Sequence, residues 1–371
     1  MISKNIKNLK IATILPYKEN YSADKASAAS LWVAEFYRKS KFKKSNFIYG
    51  HTKSKKFLTN NYININLKNT KSKLKSTTNE YANKLIKELN NKNFSIVEIH
   101  NRPQLLSKIS NKVKSRFIFY FHNDPISMKG SKTRKERLNI LKSVEKLVFV
   151  SDWVRERFFV DIDQKLKTKT EIVYPSVNKQ RIVNKQKNII FVGRLNHSKG
   201  YDLFKDAIIR ILDEFPKWNA YSIGNEDRRS IYINHPRHKE LGFIRHKETL
   251  KLLNKSEIAV VPSRWEEPFG RTALEASSCG CATIISSRGG LKETTDSAII
   301  LKKLDSYNIY LEIKKLIKKN KNRKKCQLKG RQNIKHLISE NTKIIDEIKK
   351  DCVTFYNVNF IRKKLKIINI Y

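Results

Sequence analysis

The stretch Asn188-Ile-Ile-Phe-Val-Gly193-Arg194-Leu-Asn-His-Ser-Lys199-Gly200-Tyr201 decides how this chain is read. Its unbroken apolar run is what a sheet strand needs when helices cover both of its faces. Gly193 ends the run, and Asn196 to Ser198 offer oxygens suited to cap a helix. Tyr201, Phe204, Ala207, Ile208, Ile211, Leu212 and Phe215 then recur at helical spacing until Pro216 stops the pattern. Strand, sharp loop and helix start in this order make half of a βαβ unit, with the helix N-terminus aimed beyond the strand's carboxyl end. Arg194 and Lys199 stand in that loop. Backbone N–H groups and the positive end of the helix dipole attract anions, and two cations beside them would neutralise a diphosphate. Taken alone, a Gly-Arg-x4-Lys-Gly loop fits an ordinary solvated basic loop as well.

Outward from this stretch, short apolar runs alternate with longer amphipathic segments, the rhythm of βαβ units and a parallel sheet. One series of expected strands covers 11–16, 47–50, 96–100, 116–122 and 146–151; a second covers 188–193, 220–224, 257–263, 282–287 and 297–301. The expected organisation is therefore α/β, with two doubly wound, Rossmann-like domains. Residues 1–177 form the first domain and 178–350 the second, joined by a linker at 171–178. A basic, aromatic tail at 351–371 is expected to pack back on the first domain.

With 371 residues, 39% of them hydrophobic, the chain has enough apolar material for two ordinary cores, which sets aside disorder and a single small module. The formal charge of +44 admits three readings: nucleic-acid binding, an anionic membrane surface, or a solvated basic exterior. Its lysines are spread along the chain instead of standing in one block, which fits a compositional excess serving solubility as well as contact with an anionic membrane or substrate. Cys279, Cys281, Cys326 and Cys352 are too few for a disulfide framework and lack zinc spacing. No apolar run approaches the ~18–20 residues of a membrane span, and the first residues lack a signal-peptide core. A cytoplasmic location follows as an expectation, with any contact with an anionic inner membrane being peripheral.

A second constellation, Trp265-Glu266-Glu267-Pro268-Phe269-Gly270-Arg-Thr-Ala-Leu-Glu275, follows the expected strand at 257–263. Glu267 falls in the loop at the strand's carboxyl end and Glu275 about two turns into the next helix, so both carboxylates can address one cleft. Carboxylates accept paired hydrogen bonds from sugar hydroxyls, which suits Glu275 to a ribose and Glu267 to a transferred sugar. Without the flanking pattern, a solvated helix residue and a turn residue would be the favoured reading of the two. Ser286-Ser-Arg-Gly289-Gly290-Leu-Lys-Glu293 continues the site, and the backbone around Ile244 in Gly242-Phe-Ile-Arg-His246 is placed to read a base.

In order and spacing, the motifs of 188–293 resemble the nucleotide-sugar domain of glycosyltransferase family 4, with its Gly-Arg…Lys-Gly loop, Glu-x7-Glu motif and later Gly-Gly…Glu. The resemblance implies the GT-B architecture, two Rossmann-like domains facing a central cleft, and a retaining hexosyltransferase. By this likeness Gly193, Arg194 and Lys199 attend the donor diphosphate, Phe269 and Gly270 line the donor site, and Glu275 holds the ribose. Glu267 holds the donor sugar. In the first domain, Phe121-His122-Asn-Asp-Pro resembles the family's strand-end histidine near that sugar, and His100-Asn101-Arg102-Pro103 its acceptor-side loop. The family's usual glycine-rich loop after the first strand is replaced here by a glycine-free segment from Pro16 to Ser30, in which Lys25 could face the diphosphate.

The likeness implies no cofactor and no metal, the leaving diphosphate being met by cations and helix dipoles; Asp161-Ile-Asp163 follows an expected helix and reads as surface. The implied partners are a nucleotide-sugar donor and a glycan or lipid-linked acceptor, in lipopolysaccharide or another envelope glycan. A GT-B isomerase or phosphorylase is the nearest alternative. A nucleic-acid-binding protein would leave Glu267 and Glu275 without a purpose and lacks the usual motifs.

Overall fold

The computed structural model describes residues 9–24, 26–67, 76–181, 183–226 and 231–368, the side chains of 355–368 excepted. The chain divides into two compact units: Met1–Tyr174 with Ile338–Tyr371, and Pro175–Leu337.

Unit 1 is built on a seven-stranded parallel sheet of order β3-β2-β1-β4-β5-β6-β7. The strands are β1 (Ile11–Ile14), β2 (Asn46–Gly50), β3 (Tyr62–Asn64), β4 (Ile96–His100), β5 (Arg116–Phe121), β6 (Lys146–Phe149) and β7 (Thr170–Ile172). Helices α1 (Ala28–Lys39), α2 (Thr77–Lys92), α3 (Pro103–Ile109), α4 (Arg134–Ser143) and α5 (Asp152–Phe158) connect them. Every residue of β1 and β4 is buried, as strands covered on both faces must be. The five strands expected here are all present. The sequence pattern missed β3 and β7, three-residue edge strands too short to show a period.

Unit 2 carries a six-stranded parallel sheet of order β10-β9-β8-β11-β12-β13. Its strands are β8 (Gln186–Val192), β9 (Asn219–Ile223), β10 (His238–Glu240), β11 (Ser256–Val261), β12 (Ala282–Ile285) and β13 (Ile299–Ile300). Its helices are α6 (Tyr201–Glu214), α7 (His246–Lys255), α8 (Arg271–Ser278), α9 (Ser306–Lys318) and α10 (Asn320–Gln332). The apolar face read for α6 packs as expected: Phe204, Ala207, Ile208, Ile211 and Leu212 join Ile189 and Phe191 of β8 in one core. β10, His-Lys-Glu, has no apolar residue to announce it and is held by its backbone pairing to β9.

The chain path differs from the expected boundaries. The segment read as a linker begins with β7, and unit 2 starts at Pro175. The return to unit 1 comes at Ile338, so residues 338–350 do not belong to the second domain. They open α11 (Ile338–Ile368), whose Ile345, Ile348 and Cys352 enter the core of unit 1 with Trp32, Ile96 and Tyr120. Asp346 of α11 accepts hydrogen bonds from Ser40 Oγ (2.6 Å) and the Lys41 N–H (2.8 Å) just past the end of α1. The side-chain packing expected for the tail beyond Thr354 lies outside the described residues. Among the described residues, no helix is long and apolar enough to cross a membrane.

Candidate functional site

In unit 2 the strand order reverses between β8 and β11, so the connections from these neighbours leave to opposite sides and open a crevice at their carboxyl ends. The loops that follow β8 and β11 are the two whose motifs the sequence singled out. They are stitched together: the N–H groups of Arg264 and Trp265 both donate to the Ser198 carbonyl, at 3.0 and 2.9 Å. Arg264 adds a bidentate pair of 2.6 Å contacts to Asp202 in the first turn of α6. The guanidinium holds that carboxyl below its usual range against the opposing effect of burial. A third loop, after β12, closes on the second, with the Gly290 N–H donating to the Glu267 carbonyl (2.7 Å) and the Gly289 N–H to Glu266 Oε2 (2.6 Å).

Two glycines make this approach possible. Gly200 has φ +71°, and a Cβ there would lie 2.0 Å from the Pro262 carbonyl oxygen. Gly289 has φ +56°, and its Cβ would meet the Glu267 carbonyl at 2.2 Å. Each couples a left-handed backbone to a space that only a hydrogen fits.

Lys199 ends a short 3-10 turn whose start Asn196 caps, its side chain accepting from the Lys199 N–H at 3.1 Å. The Lys199 ammonium lies 2.6 Å from Glu267 Oε1 and 4.2 Å from the ring centroid of the half-exposed Trp265. Glu267 is 8% exposed. A cation and a carboxylate from two different loops thus meet at the switch point. Arg194, in the same loop as Lys199, is exposed, and its guanidinium meets no partner among the described residues.

Glu275, 5% exposed, sits on α8 and accepts on one oxygen, Oε1, from Arg271 Nε (2.5 Å) and His246 Nε2 (2.8 Å). Burial alone would raise its pKa, but Arg271 and His246 outweigh it and hold the carboxyl down at about 2. Glu275 is therefore ionised at any working pH. Arg271 was legible from its i, i+4 spacing to Glu275, though not singled out; His246 arrives from α7, which no local pattern signals.

Other expected donor residues fall less directly. Ile244 packs on the core cluster of Ile190, Ile223 and Leu253, leaving its backbone as the group open to a base. Phe269 is buried, its ring edge-on to His336 at 5.4 Å, so its side chain belongs to the core and not to a ligand surface. Gly193 and Gly270 stand at the end of β8 and the start of α8 as read.

In unit 1, β4 and β5 end side by side with His100 and His122. His100 Nδ1 lies 2.8 Å from His122 Nε2. His100 stacks on Tyr120 at 4.3 Å, and Trp32 sets its edge against both histidines. Burial keeps both rings neutral: His122 falls to about 3, and His100, which also faces His122 and Lys349, lies well below the usual histidine range. Asn101 adopts φ +55° and accepts from the His122 N–H at 3.2 Å, while Arg102 stacks over Tyr17 at 4.9 Å. Lys25 lies outside the described residues.

Asp163 caps a 3-10 turn by accepting from the Lys165 N–H, and Asp161 is an exposed residue with a left-handed backbone. Among the described residues no group of three or more His, Cys, Asp or Glu side chains is placed to hold a metal ion.

A doubly wound parallel sheet with a cation and carboxylates gathered at its switch point is the α/β arrangement in which ligands sit beyond the carboxyl ends of the strands. Residues 175–339, the whole of unit 2, match the family model of glycosyl transferases group 1. A glycosyltransferase of Methanocaldococcus jannaschii, described as uncharacterized, is 38% identical over 117 residues, 29% of this chain and 29% of that protein. The chain thus spans less than a third of that relative's length. The fold resembles HepE of Anabaena, solved with UDP and glucose, at a TM-score of 0.69 and 13% identity over 92% of this chain and 99% of that one. It also resembles WaaG, a glycosyltransferase involved in lipopolysaccharide biosynthesis, at a TM-score of 0.67 and 12% identity over 91% and 99% of the two chains. Both units accordingly have the Rossmann-like form of GT-B glycosyltransferases.

Proposed function

We propose that this chain is a glycosyltransferase that takes a hexose from a nucleotide-diphosphate donor and passes it, with retention, to a glycan or lipid-linked acceptor. The observation that carries this reading is the 2.6 Å Lys199–Glu267 pair at the β8–β11 switch point. A diphosphate entering there meets Lys199, exposed Arg194 and the backbone N–H groups of the loop, which stabilise the charge that grows on it as it leaves. Glu267, deprived of part of its counter-charge by the phosphate, turns its carboxylate to the hydroxyls of the sugar. Glu275 holds the ribose through the oxygen that Arg271 and His246 leave open.

His122 stands by the transferred sugar in this reading, as a neutral imidazole that donates or accepts one hydrogen bond without adding charge. Leaving-group stabilisation by cations makes a metal unnecessary. Asn101 and Arg102 border the acceptor. The WaaG likeness and the basic composition favour an envelope glycan as product, made at an anionic inner-membrane surface from the cytoplasmic side.

Thermal denaturation with UDP-, GDP- and ADP-sugars tests the donor site, because a ligand bound only by the native state raises the melting temperature. At least one nucleotide sugar should do so in the wild type and not in Glu275→Ala. Absence of any shift, together with salt-dependent binding of duplex DNA, would instead favour the nucleic-acid reading.

A further inference from the structure

The carboxyl ends of β4 and β5 hold a chain of hydrogen bonds, an ion pair and one ring stack that reaches from the unit 1 core to His122. At its base, Glu98 Oε2 accepts from Thr13 Oγ1 (2.6 Å) and pairs with Lys349 Nζ of α11 (3.3 Å). Glu98 Oε1 accepts from the Tyr120 hydroxyl (2.6 Å). Tyr120 carries His100 on its ring face with only 7° between the planes, and His100 meets His122 through nitrogen. His100, Tyr120, Glu98 and Lys349 are all buried, and His122 is half-buried.

A hydrogen bond between two imidazole nitrogens needs one N–H and one lone pair. Whichever ring donates, the tautomers of the two rings are complementary, so the proton on His100 decides which nitrogen of His122 carries one. His100 itself has little freedom, being clamped between the Tyr120 face and the Trp32 edge. The titratable and charged groups around it are Tyr120 on β5, His122 just past its end, Glu98 on β4 and Lys349 on α11. Lys349 opposes a further positive charge on His100, and burial acts in the same sense.

We propose that His100 is a positioning residue for His122: through the Nδ1–Nε2 hydrogen bond it fixes the ring orientation and the single neutral tautomer that His122 presents. Its consequence for transfer rests on the reading of His122 as a group at the donor sugar; the tautomer itself does not. The link to α11 makes the C-terminal helix part of this support, since Lys349 neutralises the carboxylate on which Tyr120, and so His100, is seated.

Nitrogen-15 NMR of histidine-labelled full-length protein reads the tautomer directly, with the His122 signals assigned by their loss in His122→Ala. The wild type should show one His122 tautomer between about pH 6 and 8. His100→Phe keeps a ring on Tyr120 and removes the nitrogen, and it should give a mixture of tautomers. A single tautomer in His100→Phe, or a mixture in the wild type, would overturn the proposal. With the donor found by thermal shift, His100→Phe should lose on the order of tenfold to a hundredfold in kcat at unchanged donor KM. Unchanged turnover in His122→Ala would remove His122 from the sugar site, while the NMR result would still decide the role of His100.

Discussion

Lys199 Nζ and Glu267 Oε1 lie 2.6 Å apart, joining the loop after β8 to the loop after β11 where the strand order of unit 2 reverses. Neither residue depends on its own loop alone. Lys199 is set by the Asn196 cap, and Glu267 by the Gly290 N–H on its carbonyl, so removing either side chain disturbs a built site.

Lys199→Ala leaves a nearly buried carboxylate without its cation. Stability should fall by about 1–3 kcal/mol, read as a lower melting temperature of a protein that still folds. Transfer should fall by roughly a hundredfold to a thousandfold, because a preorganised group at the developing charge is lost. Nucleotide release within about twofold of wild type would contradict the assignment.

Glu275 predicts an acid limb for unit 2. Its folded pKa, about 2, lies below the ordinary 4.5, so its stabilising contribution is present above pH 4.5 and is lost as pH falls toward 2. The full contribution is about 3 kcal/mol at neutral pH. Glu275→Gln should flatten the melting temperature against pH in that window. A slope identical to wild type would mean that Arg271 and His246 do not hold the carboxylate in solution.

Gly200→Ala places a Cβ 2.0 Å from the Pro262 carbonyl in a backbone with φ +71°. The strained backbone alone costs about 1–2 kcal/mol, and relieving the clash forces the two loops apart. Chemical denaturation should show a loss above about 2 kcal/mol, and nucleotide-sugar binding should weaken with it. Gly242, also at positive φ but with no atom within 4 Å of where its Cβ would stand, should tolerate alanine better.

The buried Glu98–Lys349 pair predicts an asymmetric mutant cycle. Lys349→Met strands an uncompensated carboxylate in the core and should cost about 3–5 kcal/mol. Glu98→Gln with Lys349→Met removes both charges and should recover most of that loss, in equilibrium unfolding of the full chain. Additive single losses would show that the pair does not interact.

Much of this molecule was readable along the chain. Runs such as Ile-Ile-Phe-Val before Gly193, and helical spacing from Tyr201 to Phe215, are local patterns, and a parallel sheet buried on both faces writes them plainly. Motif order placed Lys199 and Glu267 at strand ends before any strand was paired. The edge strands β3, β7 and β10 escaped because three residues held by backbone bonds leave no period. The boundary at Ile338 escaped because α11 is recognised by what it packs against, Trp32 and Tyr120, not by its own composition. Partnership across the chain was out of reach as well: His246 with Glu275, His100 with His122, and Lys349 with Glu98 are separated by 29, 22 and 251 residues. Local sequence sets which segments become strands and helices, since it sets which faces must leave water. Which charges then share a buried oxygen is decided only when those segments pack, because contact between distant residues is a property of the closed structure.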